Sequence, residues 1–127
     1  SNISRTKRIA ISGVEIEVYE DIIQVEDTGA YAVISLLKRE ELILILELGD
    51  ATFYRNSKSD YFSEQIRPLL ENLQNSGLVS VEYNVVSPQG INGDVRIKLT
   101  DLGLRVYDEL QTLLLSLLKE LPSETRE

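Results

Sequence analysis

The sequence predicts an α+β domain, and three observations carry that expectation. Residues Ser63 to Leu110 read as a helix, two strands joined by a Gly-rich connection, and a second capped helix. Ahead of them, apolar residues alternate with polar ones on both sides of Ser12-Gly13, the pattern of a β-hairpin. At the far end, leucines recur at helical spacing up to Leu121.

The hairpin is expected from Ile9, Ile11, Val14, Ile16 and Val18, with Gly13 supplying the positive φ of a tight turn. A short basic cluster, Arg5 to Arg8, lies at its start. Ile22, Ile23 and Val25 fit either an extension of the sheet or the start of a helix. From Ala30 to Leu48 the chain is almost continuously apolar, broken by Lys38, Arg39, Glu40 and Glu41. This predicts two helices, Tyr31 to Arg39 and Glu40 to Leu48, with Gly49-Asp50 as the stop. The β-branched Ile43 and Ile45 leave a buried strand open for the second piece. Residues 51–60, ATFYRNSKSD, are expected to form a polar loop or a short helix.

The next helix is the best marked. Ile66, Leu69, Leu70 and Leu73 fall at i, i+3, i+4 and i+7, one apolar stripe. Pro68 belongs in a first turn, where its missing N–H leaves nothing unpaired, so the start is expected near Gln65. Gly77 ends the helix, and Leu78 is placed for the apolar contact of a Schellman cap. Strands are expected from Leu78 to Val86 and from Asp94 to Thr100, with Val79, Val81 and Tyr83 alternating against Val95, Ile97 and Leu99. The connection Ser87 to Gly93 is longer than a hairpin turn. Thr100 then caps a helix whose first residue, Asp101, suits the positive end of the helix dipole. Pro122 stops that helix after about 30 Å. Leu102, Val106, Leu110, Leu113, Leu117 and Leu121 form one apolar line, which Tyr107, Leu114 and Leu118 widen. A terminal helix in a small domain is seldom enclosed on all sides, so part of this line is expected to meet a partner.

Composition limits the chemistry. With 127 residues, 43% hydrophobic and 27% charged, the chain can bury a real core. It has neither Cys nor His, which excludes disulfides, thiolate catalysis, imidazole bases and His-based metal sites. No carboxylates have the spacing of a hard-metal site, and no Gly-rich phosphate loop is present, so no metal and no cofactor are expected. No apolar run approaches membrane-spanning length and no secretory signal is visible, so a cytoplasmic protein without a membrane partner is expected. Met is absent as well. Ser1-Asn2 therefore reads as a cloning scar or a processed terminus, and the chain as one domain excised from a longer protein. The net charge is −8, spread evenly, and its field repels phosphate backbones.

The order helix, strand, long loop, strand, helix, with the Leu78-Val79-Ser80-Val81-Glu82 and Leu99-Thr100-Asp101-Leu102-Gly103 punctuation, resembles the winged-helix domains of the MarR and PadR families over residues 62–121. The resemblance implies a winged helix-turn-helix with a two-stranded wing, here with an extra N-terminal β-hairpin and a long C-terminal helix. Residues 1–28 would be the β extension, 29–121 the winged-helix core with its C-terminal helix, and 122–127 a tail. It also implies a regulatory protein that binds duplex DNA as a homodimer. By that likeness Gln65 to Ser76 would enter the groove, residues 87–94 would be the wing tip, and residues 101–121 the dimerisation helix. The DNA-facing residues would be Gln65, Arg67, Asn72, Gln74, Asn75, Arg96 and Lys98. The amides could pair with base edges, and the cations with phosphates. Leu102, Val106, Leu110, Leu113, Leu117 and Leu121 would make the dimer. The acidic composition favours a second use of the same frame, as a scaffold for protein contacts or oligomerisation without DNA.

A further likeness belongs to a different class. Asp27-Thr28-Gly29-Ala30 matches the DTGA signature of retroviral-type aspartic proteases, in which two subunits each donate one carboxylate to a shared proton. Glu26 stands where that family has an apolar residue. The same four residues are also good turn and helix-cap chemistry. No catalytic residues are expected otherwise.

Overall fold

A computed structural model describes residues 6–11, 14–19, 27–88 and 93–119, with side chains from residue 27 to residue 118. The chain is mixed α and β and divides into two compact units, one of residues 1–39 and 105–127, the other of residues 40–104.

In the first unit, β1 (Thr6–Ile11) and β2 (Val14–Tyr19) pair antiparallel in the register Ile9↔Ile16 and Ile11↔Val14. The expected turn residues Ser12-Gly13, and Ile22, Ile23 and Val25, lie outside the described residues. Helix α1 spans Thr28–Ile34, not Tyr31 to Arg39. The reason is Asp27, whose Oδ1 accepts from the Ala30 N–H at 3.0 Å and starts the helix three residues early. At its other end the Leu36 and Leu37 N–H groups bond three residues back, to Val33 and Ile34, which tightens the last turn and ends the helix. Ala30 and Ile34 are buried, as are Val106, Leu110 and Leu113 of α4 (Asp101–Lys119).

The second unit begins in α2 (Arg39–Leu48). Glu40 and Glu41 favour its N-terminus, and the buried Leu42, Ile45 and Leu48 recur every third residue, so the strand alternative is not taken. Within ATFYRNSKSD the loop or helix expectation fails. Phe53–Arg55 form β3, two aromatic side chains giving a strand inside a polar segment. Asn56 then closes a turn, its carbonyl accepting from Ser59 and its side chain from Lys58.

The following helix starts at Asp60, well before Gln65, because Ser59 Oγ accepts from the Phe62 N–H at 3.1 Å and caps it. Pro68 therefore sits inside a helical run instead of in its first turn. The run accommodates the proline through a π turn, Phe62–Ile66, in which the Arg67 N–H reaches back to the Phe62 carbonyl, before regular α3 (Arg67–Asn75). The stop is the Schellman arrangement that Gly77 predicts: Gly77 has φ 76° and the Leu78 N–H bonds the Leu73 carbonyl at 2.9 Å.

Strand β4 (Val79–Tyr83) and β5 (Val95–Leu99) are each shorter than expected. Asn84, at φ 57°, leaves the extended conformation and ends β4. With β3 they form an antiparallel sheet in the order β3-β5-β4. Val79, Val95, Ile97 and Leu99 are buried, and so are Phe62, Leu70, Leu73 and Leu78 of the same unit. On β5 the intervening Arg96 and Lys98 alternate to the opposite face. Thr100 ties the entry of α4 to the end of α3. Its hydroxyl donates to the Gly77 carbonyl and accepts from the Gly103 N–H, while its own N–H donates to the Leu78 carbonyl. A Cβ on Gly103 would run into that Leu78 carbonyl, which gives the last residue of the Leu-Thr-x-x-Gly pattern a steric reason.

Candidate functional site

The helix that the DNA reading places in a groove presents amides and acids. Gln65, Asn72, Gln74 and Asn75 are all exposed, and so are Glu64 and Glu71 beside them. Arg67 is not presented in the same way. Its guanidinium lies 5.4 Å from the ring centre of Phe62 and 5.6 Å from that of Tyr83, a cation held over two aromatic faces. Its Nε is shielded from solvent and makes no hydrogen bond.

On the sheet, Tyr54, Arg96 and Glu82 stand opposite one another across the three strands. The Arg96 guanidinium donates to Glu82 Oε2 at 2.6 Å. The hydrogen bond and charge of Glu82, with a contribution from Tyr54, hold the Arg96 pKa above its ordinary value. Lys98, opposite Ser80, is exposed. The seven sequence-predicted residues are thus brought onto one helix and one strand, but two of their three cations are engaged within the chain. Part of the expected wing, residues 89–92, lies outside the described residues. At its base Asp94 accepts from the Ser57 N–H at 2.8 Å and from the Ser57 hydroxyl at 2.6 Å, and these bonds lower its pKa.

The expected dimer line runs along α4. Val106, Leu110 and Leu113 are buried within the single chain, and Leu102 and Leu117 are half-buried. Leu121 lies outside the described residues. The apolar side chains that α4 exposes are Leu114, Leu115 and Leu118, which the sequence stripe treated as flanking or outside it.

Asp27, the carboxylate of the DTGA likeness, is committed elsewhere. Arg105 grips it with Nε to Oδ2 at 2.9 Å and a terminal nitrogen to Oδ1 at 3.0 Å, and Oδ1 also caps α1. These bonds, the Arg105 contact first, lower its pKa. A carboxylate that shares a proton with a twin needs the opposite environment. Its own N–H donates to the buried Glu109 at 3.2 Å. Among the described residues no three Asp or Glu side chains gather as a metal site.

Sequence reasoning missed a groove of about 160 Å³ in the second unit. Ile43 and Leu44 of α2 face Ile66 and Leu69 across it, with Tyr61 and Gln65 at its side. Glu40 and Glu47 stand on its rim. A smaller hollow continues it towards Phe53, Arg55 and Ile97, sharing Leu44, Glu47, Tyr61 and Ile66. Ile43 and Tyr61 are exposed, at 43% and 63%. The signal available in the sequence was the proline-induced register change, which a helix started at Gln65 conceals.

No helix among the described residues is long and apolar enough to cross a membrane. No protein-family model matches the chain, and none of the curated proteins or solved structures compared with it is similar.

Proposed function

We propose that this chain is a protein-binding module built on a winged-helix-like frame, part of a regulatory protein. The β3-β5-β4 order, with a helix entering β4 and another leaving β5, supports the winged-helix reading. The helix-turn-helix itself is abbreviated. A strand and a turn occupy residues 53–59, where that motif has a helix, so one helix stands in place of a pair. The observation that carries the proposal is the commitment of Arg67 to two aromatic rings and of Arg96 to Glu82. Phosphate contacts position a protein on DNA, and this surface keeps Lys98 for that work. The unit of residues 40–104 carries ten acidic and five basic side chains, a field suited to a basic partner.

Duplex DNA bound by a homodimer is the second reading. It is favoured by the four exposed amides on one helix, and its dimer would use the exposed Leu114, Leu115 and Leu118. Fluorescence anisotropy of a labelled random duplex, over a salt series, separates the two. The protein-binding reading expects no binding even at low salt. An affinity whose logarithm falls linearly with the logarithm of salt concentration supports DNA instead.

A further inference from the structure

We infer that the groove between α2 and the π turn is the docking site, and that its occupant is a short protein segment with apolar side chains flanked by Lys or Arg. The inference rests on the protein-binding reading and gives that reading a place and a ligand class. The lining is mostly apolar, with Ile43 and Leu44 supplied by α2 and Ile66 and Leu69 by the helical run that follows β3. Large apolar side chains exposed on both walls, Ile43 and Tyr61, gain most by being covered. Glu40 and Glu47 lie seven residues apart on α2, on one helix face, and both are exposed on the rim.

Among the described residues no Lys or Arg lines the main groove; Arg55 stands in its smaller continuation. Charge complementarity thus assigns the partner's cations to the Glu40–Glu47 side. An amphipathic helix or a short extended segment satisfies both demands, apolar anchors down and basic residues over the rim. The π turn contributes directly. Its residues Gln65 and Ile66 both line the groove, and π turns inside helices recur at functional positions.

Display panning tests this. A library of random twelve-residue peptides is selected on the full chain, and the enriched peptides are titrated against the wild type, E40K/E47K and Tyr61→Ala. All three altered side chains are exposed, and circular dichroism checks that each variant keeps the fold. The expected result is enrichment of peptides with at least two large apolar residues beside Lys or Arg. Their affinity should fall about tenfold or more in both variants, and E40K/E47K should prefer acid-flanked versions of the same peptides. Enriched peptides that bind wild type and variants equally overturn the groove while leaving a protein-binding module in place. No enrichment above background overturns both.

Discussion

Gly103 and Thr100 join the entry of α4 to the α3–β4 junction, and their chemistry makes the sharpest predictions at the residue scale. Gly103→Ala places a methyl against the Leu78 carbonyl, so urea unfolding should show a loss of about 1–3 kcal/mol from overpacking. Thr100→Ala removes the cap and should cost about 1 kcal/mol. Asp27 makes a pH prediction. Its folded pKa is depressed, chiefly by Arg105, below that of the unfolded chain. The ion pair therefore contributes fully above the unfolded carboxylate titration, near about pH 4, and its contribution disappears as pH falls through the lower folded value. Asp27→Asn keeps a good capping residue but loses the charge. Its melting temperature should be lower than wild type at neutral pH and should decline less on acidification below about pH 4. An unchanged acid limb would show that the Arg105 contact contributes nothing to stability. The residue scale was only partly legible in sequence. Asp27 was visible as cap chemistry, but its partner lies 78 residues away and no local pattern announces it.

At the level of elements, apolar stripes and caps placed α2, α3, both β4–β5 strands and α4 near their true positions, because each is written in neighbouring residues. The misses share a physical cause. β3 is only three residues long and is a strand because β5 offers it backbone partners, a non-local condition. The helical run leading into α3 begins at Asp60 under the Ser59 cap and takes up the proline in a π turn, where propensity alone places Pro68 at a helix start. The face of α4 that meets the interior was not decided by periodicity, since leucines cover more than one side of it. Leu110→Ala should therefore destabilise by about 2–5 kcal/mol, while Leu115→Ala, 56% exposed, should stay within about 0.5 kcal/mol. If a homodimer forms through this helix, Leu115→Glu should dissociate it in sedimentation and abolish the concentration dependence of the melting temperature. Equal losses of stability at positions 110 and 115 would contradict the assigned burial.

For the whole molecule, net charge and surface chemistry outweigh likeness of architecture. The order of helices and strands is legible from residues 62–121, but a shared frame hosts many functions, and the partner is decided by which side chains remain available. The candidate DNA residues lie on the helix and the strand that their spacing predicts. Their availability was not legible, because the contacts of Arg67 with Tyr83 and of Arg96 with Glu82 form only when α3, β4 and β5 assemble. The groove was hidden for the same reason, since its walls come from α2 and the π turn, separated by β3.

The most direct test is nitrogen-resolved NMR of the arginine Nε–H groups, with and without a short duplex at low salt. If Arg67 is enclosed by Phe62 and Tyr83, its Nε–H signal should exchange slowly with water and be displaced by the ring currents, and neither it nor the signal of Arg96, whose terminal nitrogen is held by Glu82, should move when DNA is added. Rapid exchange at Arg67, with shifts at both arginines that follow the added duplex, would contradict the account and return the surface to nucleic acid.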